Sequence, residues 1–180
     1  MFQGFDLNKF KQMKPPSNNS FDTMREVKQL SATPMNKASV KKFDDIEATF
    51  SSVAAKNNIT NYDPNLVRTL SKKSAPLIKK LKNHFNRPRP KVMAKKLGIN
   101  MVDYEMDSMK TPSYPSGHST QGVLIGKVLA DKHPQAADQF IKAGKDISDS
   151  RRIAKAHYKS DSKMGEMLGE EMYKHIKNKV

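Results

Sequence analysis

Ser150-Arg151-Arg152-Ile153-Ala154-Lys155-Ala156-His157-Tyr158-Lys159-Ser160-Asp161 is the stretch around which the rest of the chain is organised. On a helix of about 3.6 residues per turn, with Ile147 at the centre of one face, Phe140, Ala154 and Tyr158 fall within roughly 20° of that line. Arg151, His157 and Asp161 fall within about 80° of it, whereas Lys142, Lys145, Asp149, Arg152 and Lys159 lie outside. The spacing predicts an inward face that carries an Arg, a His and an Asp among apolar groups. Isolated charges are not buried without partners, so the three either form a structural ion pair or work in a site. The stretch alone leaves those two readings open.

Outward from this stretch the pattern is helical throughout. Val40, Phe43, Ile46 and Phe50 recur at helical spacing and predict a helix over 39–56. Asp63-Pro64 reads as an N-cap followed by proline at the first helical position, opening a short helix with Leu66, Val67 and Leu70. Ser74-Ala75-Pro76 is read as a restart, with Leu77, Ile78, Leu81 and Phe85 forming a second helix that Pro88 and Pro90 end. A short helical turn is expected over 90–97 and a loop over 98–114. A further helix, with Ser119 or Thr120 as cap, is expected to run to Lys132. His133, read as an N-cap, then opens the long helix carrying the stretch above. The last helix stacks Met164, Leu168, Met172 and Ile176, with Gly165 and Gly169 allowing close packing. No period-2 run is found, so the fold class expected is all-α, a single-domain helical bundle over 39–180. Lys14-Pro15-Pro16-Ser17-Asn18-Asn19-Ser20 has linker composition, and residues 1–38 are expected to be a poorly ordered tail.

The chain has 180 residues and no cysteine, which excludes a disulfide framework, thiol catalysis and thiolate metal sites. The longest apolar runs, such as Val123-Leu124-Ile125, are far short of a membrane span, and no leader is visible at the N-terminus. A cytoplasmic protein without integral membrane association is the expectation. The net charge of +15 attracts phosphorylated molecules and leaves nucleic acid open as a partner. Only 7% of residues are aromatic, thin material for base stacking.

Two other clusters stand out. Lys80-Leu81-Lys82-Asn83-His84-Phe85-Asn86-Arg87-Pro88-Arg89-Pro90 is a basic helix end, and Ser113-Tyr114-Pro115-Ser116-Gly117-His118 is a glycine-containing turn feeding a helix start. The turn has the makings of an anion cradle, since glycine permits close backbone approach and the first N–H groups of a helix favour negative charge. Together with the opening stretch, these clusters match a three-part pattern: K-x6-R-P as Lys82…Arg89-Pro90, P-S-G-H as Pro115-Ser116-Gly117-His118, and S-R-x5-H-x3-D as Ser150-Arg151…His157…Asp161.

On these residues the chain resembles the superfamily of the type 2 phosphatidic acid phosphatases, the bacterial class A acid phosphatases and the vanadium haloperoxidases. Lys80…Arg87-Pro88 also satisfies the first part; the R-x-R-P pattern of the soluble phosphatases favours Lys82 and Arg89. The resemblance implies a bundle of that superfamily's type and a soluble, metal-independent phosphatase acting on phosphomonoesters or diphosphates through a phosphohistidine. It implies His157 as nucleophile, Asp161 as its orienting acceptor and His118 as general acid and base. Lys82, Arg89, Ser116, Gly117 and Arg151 are implied to hold the phosphate. No cofactor or metal is expected, vanadate should bind as a phosphate mimic, and the partner is a phosphorylated small molecule. Because the chain is short, either an open site or one completed by a second copy, a homodimer, is a further expectation. The alternatives are a vanadate-dependent haloperoxidase and a basic nucleic-acid-binding protein with a vestigial phosphatase site.

Overall fold

The computed structural model describes residues 1–180. It is all helical, a single domain of nine α-helices and two short 3₁₀ turns. The helices are α1 (Asn8–Lys11), α2 (Phe21–Ala32), α3 (Lys37–Asp44), α4 (Ile46–Lys56), α5 (Pro64–Phe85), α6 (Pro90–Lys96), α7 (Gly117–Lys132), α8 (Ala137–Ile153) and α9 (Lys159–Ile176). No helix is long and apolar enough to cross a membrane.

α7 is the central helix, packed on α8, α9 and α5. Its sequence explains the position, because Leu124, Ile125, Val128 and Leu129 leave it no polar face broad enough for solvent. Phe50, Phe140, Ile147, Leu168, Met172 and Ile176 close the core around it. Two glycine contacts set the spacing of this layer. A Cβ on Gly165 of α9 would stand 2.5 Å from the Ser116 carbonyl oxygen, and one on Gly122 of α7 would stand 2.7 Å from that of Gly144 on α8. Glycine at these points lets α9 and α8 close onto α7 backbone to backbone, as the Gly165 and Gly169 spacing predicts.

Several expected boundaries move. α5 runs unbroken through Pro76, where a restart was expected. A proline in a helix interior removes one backbone donor and crowds the turn before it. Ser74 Oγ (3.1 Å) and Gln121 Nε2 of α7 (3.0 Å) both donate to the Ser71 carbonyl, and that turn is held between them. The helix expected over 39–56 is divided at Asp45, whose side chain caps α4 by accepting from Ala48 N at 2.9 Å. α7 begins at Gly117 with Ser116, not Ser119 or Thr120, as its cap. His133 ends α7 in place of opening α8; its ring is buried against Phe140.

The largest correction concerns the opening stretch, which is not one helix. α8 stops at Ile153, Lys155 takes φ of 61°, and α9 starts at Lys159. The wheel placed Arg151, His157 and Asp161 on one face; a tight turn between two helices brings them together instead.

Residues 1–38 are not a loose tail. Phe10 joins the main core, and Val27 and Leu30 of α2 pack with Met93, Ala94 and Tyr158. Fully burying side chains of this size contributes about 1.5–3 kcal/mol each toward holding the segment on the core. The linker-like composition of 14–20 misled because Ser20 is used as the α2 cap, accepting from Thr23 N at 3.2 Å.

Candidate active site

The turn between α8 and α9 is held on four sides. Ala156 N donates to the Arg151 carbonyl at 3.0 Å, and Tyr158 Oη donates to the Pro88 carbonyl at 2.9 Å. The Lys155 ammonium is buried on the carbonyls of Leu30 (2.5 Å) and Thr33, the C-terminal end of α2. Asp161, at the start of α9, reaches back to accept from Tyr158 N at 3.1 Å, the usual work of an acid in a helix's first turn. His157 is thereby fixed at the apex of a rigid turn.

Both ring nitrogens of His157 are engaged. Nδ1 lies 3.1 Å from Asp161 Oδ2, and Nε2 lies 3.0 Å from Arg89 Nη1. Arg89 can only donate, so Nε2 carries the lone pair and Nδ1 carries the proton given to Asp161. Burial holds His157 well below the usual histidine range, and the charges of Arg89, Lys82, Arg151 and His118 push the same way. The ring is neutral, of defined tautomer, with its lone pair directed toward cations. A neutral ring with a lone pair among cations is chemically able to act as a nitrogen base or nucleophile toward an anion held there.

Asp161 is fully buried. Besides His157 and Tyr158 N it accepts from Ser113 Oγ, and from Arg87 at 2.7 Å. Burial pushes its carboxyl up to about 6, against the pull of Arg87 and Ser113. Arg87 is shared in turn with Glu26 of α2 at 3.3 Å, and its guanidinium lies 3.7 Å from the centre of the Tyr158 ring. Arg87 therefore belongs to Asp161, while Arg89 faces His157. Lys80 is solvent-exposed, whereas Lys82 is buried. The geometry separates the two registers of the basic cluster.

The cations converge. Arg89 is held as a fan by the carbonyls of Thr111 (2.7 Å), Ser108 (2.6 Å) and Ala156 (2.9 Å). Lys82 Nζ donates to the Pro112 carbonyl at 2.8 Å, and burial, then Arg89, push it down to about 7. Burial likewise pulls Arg89 to about 10 and lowers Arg151. Three buried basic groups without an equal number of buried acids form a pocket that an anion would stabilise. Beside them α7 begins, and a Cβ on Gly117 would lie 3.9 Å from Lys82 Cε. The N–H groups of Gly117 and His118 are first-turn donors without intrahelical acceptors. Ser116 Oγ is occupied as the α7 cap, accepting from Ser119 N at 3.2 Å.

His118 faces the same space. Its Nε2 lies 2.8 Å from the Asp44 carbonyl, and burial followed by Arg151 pushes the ring down from the ordinary histidine value. Above these groups opens a cleft of about 940 Å³, lined by Arg89, His118, Asp44 and the loop 103–110. No three His, Asp or Glu side chains stand together in a way that would hold a metal ion.

Arg89 and His118 line this cleft, and Lys82, Arg151, His157 and Asp161 lie buried behind them, with the Ser116-Gly117 turn beside Lys82. Sequence reasoning missed Arg87, Ser113, Glu26 and Asp44 as partners of these groups. Ser113 and Arg87 stood inside the quoted clusters and could have been weighed as donors to Asp161; Glu26 and Asp44 carried no local signal. His84 is exposed beside Phe85, away from the cleft.

No family model matches the chain. Among curated proteins it is similar to a non-specific acid phosphatase of Salmonella typhimurium, 34% identical over 88 residues, 49% of this chain and 35% of that protein. It is similar to an acid phosphatase of Zymomonas mobilis, 32% identical over 104 residues, 58% of this chain and 39% of that protein. A non-specific acid phosphatase of Providencia stuartii is 34% identical over 80 residues, 44% of this chain and 32% of that protein. The chain spans about a third of the length of the curated relatives it matches, and over that span it is similar to acid phosphatases.

Proposed function

We propose that this chain is a phosphatase that hydrolyses phosphomonoesters through a phosphohistidine at His157. The observation that carries the reading is His157 itself: Nδ1 on Asp161, Nε2 turned toward Arg89, buried among the cations Arg89, Lys82 and Arg151 behind the cleft. The similarity to acid phosphatases over half of the chain supports it.

The ester's phosphoryl group takes the donors of Arg89, Lys82 and Arg151 and the N–H groups at the start of α7, which spread its charge over the three non-bridging oxygens. Nε2 of His157 attacks phosphorus and the ester P–O bond breaks. His118 gives its proton to the departing alkoxide, while Asp161 supports the ring that has become cationic. Water then loses a proton to His118 and attacks the phosphohistidine. The N–P bond breaks, inorganic phosphate leaves and His157 returns to its neutral form. Covalent catalysis of this kind divides one difficult displacement into two easier ones. No metal is required by the sequence of steps, and vanadate is proposed to occupy the same donors as phosphate.

Phosphate release from a panel of soluble phosphomonoesters tests the reading. Wild type is expected to turn over several of them with inhibition by vanadate, and His157→Ala to lose at least about a thousandfold in kcat. Equal release by His157→Ala would overturn it.

A further inference from the structure

Asp44, the last residue of α3, stands at the phosphate pocket with its carboxylate on a phosphate ligand. Its Oδ1 lies 3.0 Å from Arg151 Nη1, and its carbonyl oxygen 2.8 Å from His118 Nε2. The second terminal nitrogen of Arg151 contacts Met106 Sδ at 2.8 Å, so Asp44 is the only carboxylate that Arg151 has. An acid at the C-terminal end of a helix opposes the helix dipole, so helix stability does not explain it. Val40 is fully buried and anchors α3 to the Ala154–Ala156 turn, which keeps Asp44 at this place whatever occupies the pocket.

We infer that Asp44 is a specificity-determining residue: it competes with the phosphoryl group for Arg151 and, once displaced, faces the leaving group at the cleft wall. The inference rests on the phosphatase reading above. A bound phosphoryl group turns Asp44 aside, but the negative charge stays within the cleft. A second phosphate on the substrate meets that charge. A leaving group with an amine near the ester pairs with it. The cleft offers no compensating free cation, since Lys91 stands on Asp103 and Glu105 and Lys110 on Asp107. Val92, Tyr104, Met106 and Met109 are the apolar part of a wall otherwise made of charged and polar side chains, Asp103, Glu105 and Asp107 among them. The substrate class is therefore a monoester of a neutral or cationic alcohol, not a polyphosphate, on a protein whose overall charge of +15 would by itself favour the polyanion.

The test compares wild type with Asp44→Asn. Inorganic phosphate binding is measured by titration calorimetry, and kcat/KM is measured for phosphoethanolamine and for pyrophosphate. Wild type is expected to prefer phosphoethanolamine by about fivefold, the upper end of what one partly screened charge pair contributes. Asp44→Asn is expected to bind phosphate about threefold to fivefold more tightly and to lose most of that preference. Asp44→Ser serves as a second variant should the first fold poorly, and the wild-type preference needs no variant. Phosphate affinity unchanged or weakened in the folded variants, or a wild type preferring pyrophosphate, overturns the inference. A wild type that binds phosphate but turns over neither compound defeats the phosphatase reading, and the phosphate titration then decides the role of Asp44. If neither protein binds phosphate, both fall.

Discussion

His118 and Lys82 carry the sharpest consequences of their surroundings. As general acid His118 must be protonated, yet burial and Arg151 push its ring below the ordinary histidine value. In free enzyme the protonated form is therefore lost as pH rises through that lowered value. The kcat/KM profile is expected to fall toward neutral pH, an acid-favouring limb. A bound phosphate dianion raises the affinity of His118 for its proton, so the same limb in kcat should lie at higher pH. Coincident limbs in the two pH profiles would count against His118 as the acid. Lys82 is lowered to about 7 by burial and Arg89. A group depressed in the fold contributes stability that is present above its unfolded value and is lost as pH falls through its folded one. Wild type should therefore lose stability between about pH 10 and 7 through Lys82, and phosphate should restore it. Lys82→Met is expected to keep the thermal midpoint that wild type loses over this window and to gain less from phosphate, which Arg89 and Arg151 still bind. A phosphate-dependent rise in its midpoint equal to that of wild type would contradict the assignment.

Helices explain why the site was readable and where the reading slipped. The periodic stretches of α5, α7, α8 and α9 were legible because each buries one apolar stripe. Asp63-Pro64 marked its helix start for a reason that holds in the structure, with Asp63 accepting from Asn65 N at 2.9 Å. The 154–158 turn was not legible, because Ala154 and Tyr158 continue the apolar period across a place where the chain leaves the helix. Only the positive φ at Lys155 and its bonds to the end of α2 reveal the turn, and both depend on residues more than a hundred positions away. α9 contributes to the site by its closeness to α7. Gly165→Ala places a Cβ 2.5 Å from the Ser116 carbonyl and 2.9 Å from Ser119 Cβ. The crowding is expected to lower stability by about 1–3 kcal/mol despite alanine's better helix propensity, and to weaken phosphate binding by displacing the Ser116-Gly117 turn. Chemical denaturation measures the first and phosphate titration the second. An Ala variant as stable as wild type would show that the two helices are not in backbone contact here.

Across the whole molecule, the site depends on segments far apart in the chain. Six of its side chains lie in the three quoted clusters and are named from sequence because those clusters match the three-part pattern that carries the family resemblance. What surrounds them was hidden. Glu26 of α2 accepts from Ser160 N at 2.6 Å and pairs with Arg87, which in turn holds Asp161. A chain of charges thus runs from the N-terminal segment to the ring of His157. No composition rule could find it, because 14–20 reads as linker until α2 is placed against α6. The central claim is that His157 takes up the phosphoryl group, and it can be tested by trapping that state. With an aryl phosphate, whose leaving group needs no proton, His118→Ala retains the first step and lacks the base for the second. Rapid quenching at neutral pH followed by peptide mass spectrometry should find a single phosphoryl group on the peptide bearing His157, acid-labile and absent from the His157→Ala protein. Turnover by wild type with no such adduct in His118→Ala, or an adduct on another residue, would contradict the account.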